Sequence, residues 1–259
     1  MTRVKGFLID IDGVLYTGKN PIKGAIETIN LLVREGYQFR LVSNSTRKCR
    51  KTIAERLVSM GFRIPEENIF TPPLAAIAYI KRTNKRNFHL LTMGDVDRDF
   101  EQVCEPNPGG KPDLVIIGDA GDEINYKNMN VAFHYIMEGA ELIALERDRY
   151  WMADDGLSLS AGPFVAALEF ATGKTAKVMG KPSKDFFDLA LSDMELGTDE
   201  TVMIGDDIIT DIGGARSAGM DGILVRTGKF QEDTLRKAAI KPSYVIDSIT
   251  YLPDILQSL

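Results

Sequence analysis

Short, almost entirely apolar segments alternate with helix-periodic segments along this chain, and this alternation is its strongest constraint on the fold. Four apolar segments near the two ends of the chain are predicted strands: residues 7–9, 39–42, 202–204 and 223–225. Such continuous apolar character is typical of strands covered on both faces, as in a parallel sheet between helices. Between the first two strands, Ile22, Ile26, Ile29 and Val33 have the spacing of one helix face. The pattern predicts an α/β protein.

The middle of the chain repeats the pattern on its own. Further predicted strands lie at residues 90–91, 114–117, 142–145 and 150–152. A helix with Tyr126, Met129, Phe133 and Ile136 on one face lies among them, and another begins near Pro163. We therefore expect a Rossmann-like parallel-sheet core that is split in sequence, at residues 1–78 and 178–259. A smaller α/β domain at residues 79–177 is inserted into it.

The bulk composition excludes some classes of protein. The chain has 259 residues, a net charge of −6 and a pI near 5.1, which argues against a surface built to neutralise nucleic-acid phosphates. No apolar stretch is long enough to span a membrane, and no charged-then-apolar leader starts the sequence. Cys49 and Cys104 are interpreted as reduced thiols. We expect a cytoplasmic protein with neither nucleic-acid nor membrane partners.

Polar residues follow three of the predicted core strands directly. They are Asp10 and Asp12 after the first strand, Ser43 and Asn44 after the second, and Asp206, Asp207 and Asp211 after the third. Ligands of open parallel sheets bind beyond the carboxyl ends of the strands, so these groups are expected to converge in space. Gly180-Lys181-Pro182 offers a lysine just before a further predicted helix.

The converging residues suggest phosphoryl chemistry. Asp10, Asp12, Asp206 and Asp211 would repel one another without a cation, and oxygen ligands suit Mg²⁺. Ser43 and Asn44 offer hydrogen-bond donors for phosphoryl oxygens, and Lys181 offers a fixed positive charge.

Each motif alone has an ordinary structural explanation. Acidic pairs at strand ends often cap helices, a lysine before proline is usually a surface loop residue, and an aspartate-rich turn can be only a turn. The combination in one chain order favours a site in which a divalent cation lets a carboxylate approach phosphorus.

The segments DIDGVLYTG, SNST, GKP and GDDIITDIGGARSAGM resemble the haloacid dehalogenase-like (HAD) hydrolases over nearly the whole chain. The long insertion is similar to the C2-type α/β cap of the subfamily that includes NagD and p-nitrophenyl phosphatases. The segment ALERDRYWMADDGLSLSAGPFVAALEFATG resembles a narrower subgroup, that of the phospholysine phosphohistidine inorganic pyrophosphate phosphatases and the HAD-like hydrolase domain-containing proteins.

The resemblance implies a role for each motif residue. Asp10 would form an aspartyl-phosphate, with Asp12 as general acid and then general base, and Lys181 would offset charge. Mg²⁺ would bind the Asp10 side chain, the Asp12 main-chain carbonyl and Asp206. Asp12, Gly13, Ser43, Asn44 and Lys181 would contact the substrate, a small phosphorylated molecule. Asp207 and Asp211 would orient these groups without binding the metal or the substrate themselves.

Several alternatives stay open at this point. Another HAD reaction (dehalogenase, phosphonatase or phosphomutase) or a non-catalytic phosphate-ligand-binding protein would use a similar fold. Asp12 argues against the dehalogenase, the large cap against the other two reactions, and the retained motif residues against a dead enzyme. Arg147, Arg149 and Asp119 could face the leaving group, or be solvated surface charges. The physiological substrate is left open, and a homodimer is an expectation that no residue proves.

Overall fold

A computed structural model describes residues 4–101, 103, 110–153 and 156–259 of the chain; Cys104 lies outside these ranges. The described chain divides into two compact units. The first contains Met1–Ser43, Lys51–Phe70 and Lys181–Leu259, and the second contains Asn44–Arg50 and Thr71–Gly180. The domain boundaries expected from the sequence, after residues 78 and 177, remain a prediction.

Strands and helices are interspersed along the described chain. The strands are β1 (Gly6–Asp10), β2 (Tyr16–Thr17), β3 (Asn20–Pro21), β4 (Gln38–Val42), β5 (Ile69–Phe70), β6 (Phe88–Leu91), β7 (Leu114–Ile117), β8 (Glu141–Ala144), β9 (Tyr150–Ala153), β10 (Gly156–Leu159), β11 (Lys177–Val178), β12 (Thr201–Gly205), β13 (Asp221–Val225) and β14 (Tyr244–Ile246). The α-helices are α1 (Ala25–Arg34), α2 (Arg50–Ser59), α3 (Pro72–Thr83), α4 (Asp97–Phe100), α5 (Tyr126–Met137), α6 (Gly162–Thr172), α7 (Lys184–Met194), α8 (Gly214–Ala218), α9 (Glu232–Lys237) and α10 (Leu252–Ile255).

The first unit is built on a six-stranded parallel sheet in the order β14-β13-β12-β1-β4-β5. Every residue of β1 and β12 is buried, as expected for central strands covered on both faces. Because β12, β1 and β4 are adjacent and parallel, their carboxyl ends lie at the same edge of the sheet. The predicted α/β class and parallel-sheet core are confirmed.

Two helix faces differ from the sequence prediction. In α1 the buried face contains Ala25, Ile29 and Leu32, whereas Val33 is 56% exposed. The helix begins at Ala25, after Gly24 in a left-handed conformation. Ile29 is buried as predicted, and Ile22 and Ile26 are partly buried against the same core, so the predicted face is wrong only at Val33. In α5 the predicted face is wrong at Tyr126, which is the first helical residue and is 86% exposed.

The second unit has its own parallel sheet, in the order β11-β8-β7-β6, and its own apolar core. Segment Asn44–Arg50 belongs to this unit because carboxylates bind its backbone and side chains. Asp95 accepts from the Cys49 N–H at 2.8 Å, and Asp119 accepts from the Arg47 guanidinium at 2.8 Å.

Among the described residues, no helix combines the length and apolar character that crossing a membrane requires. The cytoplasmic location expected from the sequence stays a prediction.

The buried Nε2 atom of His89 in the second unit lowers the stability of the folded protein. His89 lies on β6 with its ring against Tyr135 at 5.3 Å between centroids, and its buried Nε2 has no hydrogen-bond partner among the described residues. Burial lowers the pKa of His89 below its ordinary value of 6.5. The folded protein therefore holds this ring neutral.

We expect His89→Phe to stabilise the protein by about 1 kcal/mol at pH 7.5, because it keeps the ring contact and removes an unpaired buried nitrogen. The difference should widen as the pH falls below 6.5, where the unfolded wild type takes up a proton that the folded state resists. Urea unfolding of both proteins at pH 7.5 and 5.5 measures this. A difference that shrinks at the lower pH would contradict the assignment.

Candidate active site

The carboxyl end of β1 carries the first predicted site residue. Asp10 is the last residue of the strand, lies in register with Val42 of β4, and is 8% exposed. Ser43 directly follows β4 and is also buried. On the other side of β1, Asp206 directly follows β12. The parallel order of the sheet therefore brings residues from distant parts of the chain to one edge.

Lys181 lies inside this group of carboxylates. Its Nζ donates to Asp10 Oδ1 at 2.5 Å and to Asp211 Oδ1 at 2.6 Å. The lysine is 5% exposed and Asp211 is 1% exposed, so solvent screens neither ion pair effectively. The ammonium group of Lys181 is held by two carboxylates at the carboxyl end of the sheet.

The Asp211 carboxylate is held by backbone as well as by lysine. The Asp207 N–H donates to Asp211 Oδ2 at 3.1 Å. A Cβ atom on Gly205 would lie 2.3 Å from both Cβ and Oδ2 of Asp211, so only glycine fits there. The Asp207 carboxylate faces a different partner: its Oδ1 accepts from the N–H groups of Ile209 and Thr210 and caps the π-helical turn Ile208–Gly213.

Asp206 is 3% exposed, and its Oδ2 accepts from the Lys229 N–H at 2.7 Å. Gly13 has a φ of +84°, and a Cβ atom there would lie 1.9 Å from Asp206 Oδ2. Gly13 is therefore required by both its backbone conformation and its close approach to this carboxylate.

The acidic groups show the electrostatic consequence of this crowding. Burial, with a smaller contribution from the nearby Asp211 carboxylate, raises the pKa of Asp206 to about 6, although the hydrogen bond from the Lys229 N–H opposes this rise. Burial also raises the pKa of Asp10, with Asp211 and Asp206 adding to it and Lys181 opposing it. Burial would lower the pKa of Lys181, but Asp10 and Asp211 outweigh it and raise that pKa overall. Lys181 therefore stays charged, and its single positive charge is smaller than the total negative charge of the three ionised carboxylates.

The described residues include a group of acidic ligands suited to a metal ion. One carboxylate oxygen each from Asp10, Asp206 and Asp211 lies within 4.8 Å of the others. The sequence predicted that Asp211 converges with Asp10 and Asp206, and the resemblance gave it a supporting role; its carboxylate lies in the same buried cluster as those of Asp10 and Asp206.

The other predicted residues differ in their surroundings. Asp12 is exposed and forms an isolated β-bridge with Tyr16, whose carbonyl accepts from the Gly13 N–H at 2.8 Å. Asn44 is the first residue of the second unit. Its substrate-binding role remains a prediction.

The three residues of the second unit suggested for leaving-group contact have separate roles in the structure. Arg147 forms an ion pair with Glu169 at 2.5 Å, and Asp119 is buried and paired with Arg47. Arg149 is exposed.

Sequence reasoning missed the loop after β13. Its residues Thr227, Gly228 and Lys229 contact Gly13 or Asp206. The same argument from strand ends applied to the predicted strand at 223–225 would have found them, since β13 lies beside β12 in the sheet.

Comparison with known proteins gives relatives over the full length. A haloacid dehalogenase-like hydrolase model matches residues 7–104, and an HAD-hydrolase-like model matches residues 178–252. The chain is 38% identical to the phospholysine phosphohistidine inorganic pyrophosphate phosphatase of Homo sapiens, over 98% of this chain and 94% of the relative. It is 38% identical to haloacid dehalogenase-like hydrolase domain-containing protein 2 of Mus musculus, over 99% and 97%.

Solved structures of similar fold include a phosphatase as well. The p-nitrophenyl phosphatase from Archaeoglobus fulgidus superposes with a TM-score of 0.88 at 27% identity, covering 99% of each chain. NagD from E. coli K-12 superposes with a TM-score of 0.85 at 26% identity, covering 96% of this chain and 98% of that one.

The relatives whose names state an activity are phosphatases, which confirms the predicted enzyme class, an HAD-type phosphatase. The sequence identities extend over nearly complete chains, and the fold is shared. This chain belongs to the haloacid dehalogenase-like hydrolase family.

Proposed function

We propose that this chain is a Mg²⁺-dependent phosphatase in which Asp10 accepts the phosphoryl group of a small substrate and water then releases it. One observation carries the proposal. The carboxylate of Asp10 ends the central strand of the sheet, 2.5 Å from the buried ammonium of Lys181 and within a cluster that also contains Asp206 and Asp211.

The cluster fits a hard divalent cation. Its ligands are carboxylate oxygens, the donors that Mg²⁺ prefers, and the described cluster contains no histidine or cysteine of the kind that zinc selects. Burial and the neighbouring carboxylates raise the pKa values of Asp10 and Asp206 even though Lys181 contacts Asp10, so further positive charge would favour the ionised cluster. We assign the cation to Asp10, Asp206 and the main-chain carbonyl of Asp12. When bound, Mg²⁺ would neutralise charge on the phosphoryl oxygens.

Asp211 has a different role in this proposal. Its Oδ1 is engaged by Lys181 and its Oδ2 by the Asp207 N–H. Because both oxygens already accept hydrogen bonds, we assign Asp211 to orienting Lys181, although its carboxylate lies within reach of the cation site.

The catalytic steps use residues of this chain. Asp10 attacks phosphorus, and the bond from phosphorus to the leaving oxygen breaks as Asp12 donates a proton to that oxygen. Asp12 then removes a proton from the water that attacks the acyl phosphate, which regenerates the Asp10 carboxylate. The exposure of Asp12 suits this proton exchange with substrate and water. Lys181, Ser43, Asn44 and the backbone at Gly13 contact the phosphoryl oxygens.

The substrate class rests on the relatives. Proteins at 36–38% identity are named for phospholysine, phosphohistidine and inorganic pyrophosphate, and the structural neighbours for p-nitrophenyl phosphate. We propose small phosphate monoesters, pyrophosphate or phospho-amino acids as substrates of this chain. A homodimer stays a prediction.

A panel assay tests this substrate class. We expect Mg²⁺-dependent phosphate release from at least one of p-nitrophenyl phosphate, pyrophosphate, phospholysine, phosphohistidine and a sugar phosphate. EDTA should remove the activity and added Mg²⁺ should restore it, since the acidic cluster needs its cation. Turnover that persists in EDTA, or none with the whole panel, would contradict the proposal.

Asp10→Asn should lower turnover by roughly 10⁴-fold or more, because an amide cannot act as the nucleophile. Phosphate release and trapping of the phosphoenzyme with radiolabelled substrate measure the effect. Asp188→Asn is the matched control, since Asp188 lies on α7 in a surface ion pair with Lys184. It should retain turnover and phosphoenzyme. Labelled phosphoenzyme in Asp10→Asn would show that another residue is the nucleophile.

Mg²⁺ affinity should depend on pH. The cation binds deprotonated carboxylates, and the pKa of Asp206 is about 6, so Asp206 by itself should lower the affinity by about tenfold for each pH unit below 6. Asp10 must lose its proton as well, so the decrease should be steeper where both carboxylates are protonated. The raised pKa of Asp10 extends the decrease to higher pH. Calorimetric titration from pH 5 to 8, in buffers with different ionisation enthalpies, measures affinity and proton release together. Affinity independent of pH, with no proton release, would contradict the assigned ligands.

A further inference from the structure

The loop after β13 joins the loop after β1 through a side chain that the proposed mechanism does not use. Thr227 Oγ1 donates a hydrogen bond to the Gly13 carbonyl at 2.5 Å, across 214 residues of sequence. Two residues later, the Lys229 N–H donates to Asp206 Oδ2. One short loop therefore contacts both the backbone beside Asp12 and a predicted cation ligand.

Two glycines form a narrow slot around the same carboxylate oxygen. A Cβ atom on Gly228 would lie 1.9 Å from Asp206 Oδ2 and 2.6 Å from the Cα of Gly13. The two glycine backbones therefore pack against each other and against one face of the carboxylate. Gly228 has a φ of +62°, which also favours glycine. The two loops therefore leave little free space around Asp206 Oδ2.

We propose that Thr227 is a positioning residue for divalent-cation binding. Its hydroxyl holds the Gly13 and Gly228 backbones together, and the slot they form fixes the Asp206 carboxylate, with Oδ2 engaged by the Lys229 N–H and Oδ1 left for the cation. This role rests on the proposed cation site. It adds a residue that neither supplies a ligand nor contacts the substrate.

The physical reason is orientation of a ligand before the cation arrives. A buried carboxylate with one rotamer loses little side-chain entropy on binding a cation, whereas a carboxylate free to rotate loses more. Without the Thr227 hydroxyl, the Gly13 carbonyl loses its partner and the slot can widen. Groups that orient metal ligands typically contribute 10- to 100-fold in affinity.

The test measures cation binding directly on the full chain without substrate. Binding of Mn²⁺ is followed by the electron paramagnetic resonance signal of the free ion. The affinity for Mg²⁺ is obtained from the concentration of Mg²⁺ that displaces bound Mn²⁺. We expect Thr227→Val, which removes the hydroxyl at nearly constant volume, to weaken Mn²⁺ binding about tenfold or more. Thr227→Ser, which keeps the hydroxyl, should bind within about twofold of wild type.

Thr234→Val is the matched control. It removes a threonine hydroxyl that donates to Gln231 at 3.3 Å on the exposed helix α9, and it should leave Mn²⁺ binding unchanged. Where valine impairs folding of the chain, Thr227→Ala deletes the same hydroxyl from a smaller side chain. Thermal unfolding confirms that each variant is folded at the temperature of the titration.

The outcomes separate this role from the proposed function. Wild-type affinity in Thr227→Val, or equal losses in the valine and serine variants, would overturn the role of the hydroxyl and leave the phosphatase proposal standing. A wild-type chain that binds no Mn²⁺ would overturn the cation site and the role of Thr227 together. In steady-state assays, Thr227→Val should need a higher Mg²⁺ concentration for half-maximal activity. Its kcat at saturating Mg²⁺ should be close to that of the wild type.

Discussion

The site depends on one buried ammonium group shared by two carboxylates. Lys181 contacts both Asp10 and Asp211, and Asp206 lies in the same cluster. Three carboxylates and one ammonium, all ionised, carry an excess of two negative charges. Burying such an excess is unfavourable, which is why the pKa values of Asp10 and Asp206 are raised. A divalent cation has the charge that balances the cluster, and this need ties the proposed cofactor to the fold.

The parallel sheet allows such a cluster to exist. Strands β12, β1 and β4 run side by side, so the residues that follow each strand lie at the same edge of the sheet. The carboxylates can approach the backbone closely only where the neighbouring residue is glycine. Gly205 makes room for Asp211, and Gly13 and Gly228 for Asp206. A methyl group at any of the three would displace a carboxylate, so these glycines position the chemistry as much as the charged residues do.

The second unit shows how contacts override sequence order. Segment Asn44–Arg50 follows the strand that ends at Val42, yet its partners are Asp95, Asp99 and Asp119 of the second unit. On α1 the predicted stripe is wrong at Val33, which is exposed, whereas Leu32 beside it is buried and Ile29 lies in the core as predicted. A period of 3.6 residues does not by itself distinguish neighbouring positions at the edge of a buried face.

The sequence alone determined the fold class, the family and the chemical character of the site. Apolar runs encode buried parallel strands, and the acidic and lysine motifs follow strands or precede helices, where chain order itself reports position. Only the tertiary structure decided which groups touch. The contact of Lys181 with both Asp10 and Asp211, the slot around Asp206 and the hydrogen bond from Thr227 to Gly13 join residues far apart in the chain. Local patterns carry no information about such distances, because these contacts depend on how the completed sheet brings separate loops together.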